Sequence, residues 1–192
     1  MKTLIRDLMS VFFVLIIIFL TACNSKRENN STEIIKQNPD APPETAVLGQ
    51  LVGTWDIDQL IINKDGTWGG RKRHAIWKWY YILDGHAIQD DWILVDSLNN
   101  QHVAGTNIRI YNPEEKQWYM AWIDKTVRRL ATFTATNDNG TVVMEGHNAK
   151  GKHIKNIFLN IKKNEFDWRQ EWTFDDGKSW ITVTKIHGTR IL

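Results

Sequence analysis

Asp90 and Asp91 stand side by side before Trp92, and of all the polar residues in this sequence they are the best placed for acid–base work. If one of the two carboxylates lies in an apolar site, its pKa rises, which is the usual preparation for proton transfer. The plainer expectation is that one aspartate faces water while its neighbour reaches a turn or a basic strand. His74, His86, His102, His147, His153 and His187 occur singly. None of the close spacings that mark zinc sites is present, so no metal is expected. Ser97 and Ser179 sit in turn-like stretches without the Gly-x-Ser-x-Gly elbow that exposes a nucleophilic serine. These residues assign no catalytic group and imply no cofactor.

The remaining reactive group is the thiol of Cys23, the sole cysteine. It cannot form a disulfide within the chain, which leaves pairing between chains or modification. What precedes it decides between them. Lys2 and Arg6 give a basic start, offset by Asp7, and Val11–Leu20 is ten apolar residues without a break, followed by Thr21 and Ala22. A bilayer span needs roughly 20 apolar residues, so this run is short for a membrane helix and fits the core of a secretory signal peptide. Leu20-Thr21-Ala22-Cys23 resembles the lipobox of bacterial lipoproteins. The resemblance implies cleavage before Cys23, diacylglycerol on its sulfur and an acyl group on its nitrogen. Two or more chains on one residue anchor a protein stably in a bilayer. The implied location is the cell envelope, on the outer membrane of a Gram-negative bacterium.

Three regions follow: a signal peptide over 1–22, an acylated Cys23 with a flexible tether to residue 46, and a folded domain over 47–192. The stretch 24–46 is polar and Asn-rich, with Pro39, Pro42 and Pro43 and only Ile34-Ile35 as an apolar pair. Such a composition buries too little surface to offset the entropy of ordering. Removing 1–22 takes Lys2, Arg6 and Asp7 with it, so the net charge drops from +2 to +1. A nearly neutral chain lacks the electrostatic footprint of a nucleic-acid binder.

The elements that must position any site are strands. After a possible helical turn over 47–52, β-rich segments are expected over 54–62, 67–83, 86–96, 102–111, 117–124, 126–137, 141–148, 152–162, 165–175 and 178–187. Turn signals such as Asp65-Gly66, Asp84-Gly85 and Asn139-Gly140 separate them. Regular strands with hairpin-length connections predict an all-β fold, an antiparallel up-and-down barrel of about 8–10 strands, with no exposed edge. Phe166, Trp168, Gln170, Trp172 and Phe174 share one parity, against charged neighbours. Trp118, Met120 and Trp122 form a second inward face. Val127, Arg129, Ala131, Phe133 and Ala135 form a third, which carries Arg129 inside.

Gly53-Thr54-Trp55 at the start of the first strand, with Arg190 at the far end, resembles the Gly-x-Trp signature of the lipocalin-like, or calycin, barrels. The segments Trp118–Asp124 and Phe174–Trp180 look like parts of uncharacterised bacterial proteins with a lipocalin-like domain. The resemblance implies that Trp55 closes one barrel end under a basic residue, Arg190 or Lys185, a contact of cation–π type. It also implies a cup-shaped cavity and names no substrate. All ten tryptophans follow Cys23; Trp55 and much of Trp168 and Trp172 are expected in the core, and Trp77, Trp79, Trp92 and Trp122 are more than core filling requires. Trp77, Trp79, Trp92, Trp122, Trp168 and Trp172, with Arg129 and Gln170 as polar handles, are the expected lining for a small apolar or amphipathic ligand. Rings inside a cavity would favour such binding. A carboxylate buried beside a histidine would favour an envelope enzyme, and an outer aromatic strip would favour a glycan partner.

Overall fold

Side chains alternate across a strand, so a chain of half-buried strands joined by tight turns can hide its apolar parity only by curling into a closed sheet. The computed structural model describes residues 35–70 and 74–191, and there the sheet closes. A five-residue helix α1 (Thr45–Gly49) precedes β1 (Gly53–Ile62), β2 (Trp68–Gly70), β3 (Ala75–Ile82), β4 (Ala87–Val95), β5 (Gln101–Asn112) and β6 (Gln117–Asp124). The chain continues through β7 (Arg129–Asp138), β8 (Thr141–His147), β9 (His153–Leu159), β10 (Glu165–Trp172) and β11 (Ile181–Ile191). Each strand pairs antiparallel with the next in the order β1-β3-β4 and onward to β11, and β11 pairs back on β1 from Thr54↔Ile191 to Ile61↔Thr184. Ten strands therefore form the barrel, and β2 is a short flap hydrogen-bonded to the end of β1.

Local chemistry sets the turns. Between Asp138 and Thr141, Asn139 and Gly140 both take positive φ (50° and 85°), the left-handed pair that a two-residue hairpin demands. The single strand expected over 67–83 is two, β2 and β3; it breaks after Gly69-Gly70, where the missing side chains weaken a strand. Phe174, expected inward, is 69% exposed, because β10 ends at Trp172 and the chain leaves the sheet. The Lys152 ammonium covers that ring at 3.6 Å.

The connections sort by end. Segments 63–67, 96–100, 125–128, 148–152 and 173–180 lie at one end of the barrel, and 83–86, 113–116, 139–140 and 160–164 at the other. The second end is closed by the chain that enters there. Residues 36–46, expected in the tether, pack on the barrel instead. Asn38 donates its backbone N–H to Gly85 O (3.2 Å) and its Nδ2 to Asp84 O (3.0 Å), and its Oδ1 accepts from the Asp40 N–H. Pro42 and Pro43 carbonyls accept from the Thr45 and Ala46 N–H groups, so the prolines open the helical turns of α1 rather than extend a linker. Leu48 and Leu51, fully buried, plug the floor. The expected signal peptide, Cys23 and the first part of the expected tether lie outside the described residues.

Candidate functional site

The floor is sealed around Trp55, which is 0% exposed and donates its indole N–H to Leu51 O at 2.7 Å. Of the two basic residues expected over it, Arg190 takes the place: its Cζ lies 4.0 Å from the ring centre. The fork of Arg190 also donates to the carbonyls of Val52 (2.7 Å), Gln50 (2.8 Å) and Lys163 (2.6 Å). A Cβ on Gly53 would stand 2.2 Å from Arg190 Nη1, and φ there is +137°, so only glycine admits the guanidinium. Lys185 lies instead over Trp68, outside the barrel.

Above the floor is a cavity of about 380 Å³. Rings of Trp77, Trp92, Trp122, Trp168 and Trp172, with Phe133 and Phe158, line it. Trp77 is the hub, meeting Trp92 edge-on at 5.2 Å and Trp168 edge-on at 6.1 Å. Trp122 fits because its strand neighbour Gly105 has no side chain; a Cβ there would meet the Trp122 ring at 2.2 Å. Asp124 at the end of β6, with Val127, Asn148, Ala149 and Lys150 from the open-end connections, forms the rim. Eight of the ten tryptophans belong to the interior, and Trp68 and Trp180 lie outside that cluster.

Of the residues expected to line the cup, Trp77, Trp92, Trp122, Trp168, Gln170 and Trp172 do so. Trp79 does not: it is buried behind the wall, 1% exposed, with Arg109 stacked on it at 4.2 Å. Arg129 is a second correction. Its parity matches Ala131 and Phe133, yet it is the first residue of β7, at the rim, where it is exposed with Nη1 3.5 Å from Ala149 O. There the guanidinium keeps its water and avoids the cost of burial.

The interior arginine is Arg109, which periodicity misplaces. On β5 the polar parity, Asn107 and Arg109, faces in, while Ile110 on the other parity is 43% exposed. The reason lies one strand away. Asp90 on β4 is fully buried and forms an ion pair with Arg109 Nη1. Trp77 Nε1 donates to Asp90 Oδ1 at 2.6 Å. The Asn107 amide accepts from Arg109 Nη2 (2.8 Å) and donates to Ala121 O (3.0 Å). Burial pushes the Asp90 carboxyl above its ordinary value, against the pull of Arg109 and the Trp77 N–H. Burial likewise draws Arg109 down, against Asp90. Asp91, on the outer parity, accepts from the Tyr80 hydroxyl at 3.0 Å.

Both Asp90 oxygens are thus engaged by a cation and an indole, with no histidine hydrogen-bonded to it among the described residues. The pair braces the wall rather than offering a base to a substrate. Among the described residues no three His, Cys, Asp or Glu side chains gather as metal ligands would. The nearest ionisable clusters are exterior, such as Glu145 with His153 at 2.9 Å and Lys155 at 3.5 Å.

No protein-family model matches this chain, and no curated protein matches it in sequence. Its likeness is to solved structures. The S-type phycobiliprotein lyase CPES from Guillardia theta superposes with a TM-score of 0.53 at 12% identity, over 77% of this chain and 92% of that one. Rv2717c from M. tuberculosis does so with a TM-score of 0.53 at 9% identity, over 80% of this chain and 100% of that one. At these identities the likeness shows the fold: an antiparallel ten-stranded closed barrel of the lipocalin-like calycin type.

Proposed function

We propose that this protein is a cell-envelope lipoprotein whose barrel binds a small apolar or amphipathic molecule. The observation that carries the binding reading is the ring-walled cavity of about 380 Å³, open at one end of a barrel whose other end is sealed. Pockets for drug-sized ligands start at about 300 Å³ and are mostly apolar with a few placed polar groups, and this one fits that description. The interior position of eight tryptophans supports a ligand among the rings over one stacked on the outside. The full engagement of Asp90 weighs against an acid–base enzyme.

The anchoring reading rests on the sequence of residues 1–23 alone. Acylation of Cys23 would hold the domain at a bilayer, on the outer membrane of a Gram-negative cell. Residues from Asn38 onward pack at the closed end of the barrel, away from the mouth.

Tryptophan fluorescence tests the binding reading. Titration of the purified full-length protein with the neutral dye N-phenyl-1-naphthylamine should quench the interior tryptophans and saturate at one dye per chain. A Met144→Trp variant, which fills the cavity from β8, should abolish that saturation. Unsaturable binding by the wild type, or saturation unchanged in the variant, counts against the cavity.

A further inference from the structure

Building on the ligand-binding reading, we infer that the cavity selects an uncharged ligand that presents a hydrogen-bond acceptor to Asn156. Two observations support this. The first is charge. The Arg109 and Asp90 side chains are both fully buried and neutralise each other, so neither offers a free charge to the cavity. The remaining charged lining residues, Asp124 and Lys150, have opposite signs and stand at the rim. A charged group inside would lose its water and find no counter-charge, which is very costly.

The second is a relay of amides on the β9–β10 wall, across the barrel from the Asp90–Arg109 wall on β4 and β5. Trp172 Nε1 lies 2.9 Å from Gln170 Oε1. An indole N–H can only donate, so the Gln170 amide has one allowed orientation. Its Nε2 therefore donates to Asn156 Oδ1 at 3.0 Å. That fixes Asn156 in turn and leaves its Nδ2 as a donor with no partner among the described residues. Asn156 is 7% exposed and lines the cavity. Further round the wall, on β1, Gln59 Oε1 is buried without a partner among the described residues. Besides Arg109 Nε, which is fully buried and also without a partner, the cavity lining thus holds one unused donor, Asn156 Nδ2, and one unused acceptor, Gln59 Oε1, among the described residues. A ring-bearing molecule with a carbonyl-type acceptor, and an N–H or O–H elsewhere on its frame, matches both without any charge.

Three probes of similar shape test this on the full-length protein in detergent, with protein-free micelles as the blank: 2-naphthamide, 2-naphthoate and 2-ethylnaphthalene. The amide should bind tightest and the carboxylate at least about tenfold weaker at neutral pH, the scale of one unmatched polar interaction. Asn156→Leu should weaken the amide about tenfold and leave 2-ethylnaphthalene within about twofold. Asn156→Ser, which keeps a small polar group, serves the same purpose if the leucine variant does not fold. Naphthoate binding as tightly as the amide overturns the inference while leaving ligand binding intact, as does an Asn156 variant that treats all three probes as the wild type does. If none of the three binds, the ligand-binding reading fails and the inference fails with it.

Discussion

Asp90 and Arg109 meet as a fully buried ion pair across β4 and β5, inside a barrel whose other interior residues are mostly rings. Removing one partner leaves the other charged and unsolvated. Arg109→Met should therefore cost about 3–5 kcal/mol of stability, and the double variant Asp90→Leu/Arg109→Met should recover most of it. Urea unfolding of the three proteins checks this. A double variant no more stable than Arg109→Met would mean that packing against Trp79, and not the charge, is what Arg109 supplies.

Truncating Trp55 removes a fully buried indole, its bond to Leu51 O and the platform for Arg190. Trp55→Ala should cost about 3–5 kcal/mol. Arg190→Lys should not behave as the wild type, since an ammonium cannot reach three carbonyls as a planar fork does. Thermal melts of both variants decide it; an Arg190→Lys protein that melts with the wild type would show that the fork is dispensable.

Burial, with the hydrogen bond to Asp91, pushes the Tyr80 phenol from its ordinary value of 10.0 up to about 12. A raised phenol pKa means that the fold favours the neutral form. Its contribution to stability is then full below pH 10.0 and is lost as pH rises through about 12. An ultraviolet titration should find one tyrosine that ionises near this value, and Asp91→Asn should bring it down. No change in that variant would remove Asp91 as a cause.

Cys23→Ser should abolish acylation, because no other residue in the chain can supply the thioether. Metabolic labelling with palmitate reads this directly. Label retained by the serine variant would refute the anchor.

Much of the barrel was legible because alternation and turn chemistry are local. Asn139-Gly140 specified its hairpin, and the parity of Trp118, Met120 and Trp122 put two of them in the core and Trp122 on the cavity wall. Gly53, Trp55 and Arg190 were placed by resemblance, and the geometry between them agrees. What failed was depth and context. Arg129 has the right parity but sits one layer too high, and period-2 patterning carries no information about distance from the rim. Arg109 was missed because its strand is inverted, apolar outward. The only sequence signal was Asp90, the carboxylate on the Ile88–Asp90–Trp92 parity of the preceding strand, whose partner no local pattern names. Residues 36–46 look like linker by composition, yet Asn38, Pro42 and Pro43 are used as turn formers against a surface far away in sequence.

Native mass spectrometry of the full-length protein purified from its native host tests ligand binding most directly. It should show one small molecule bound per chain, at near-full occupancy, on the wild type and none on a stably folded Met144→Trp variant. A wild-type mass that equals the polypeptide with any covalent modification and nothing more, together with no saturable binding of any apolar probe, would contradict a ligand site in this barrel.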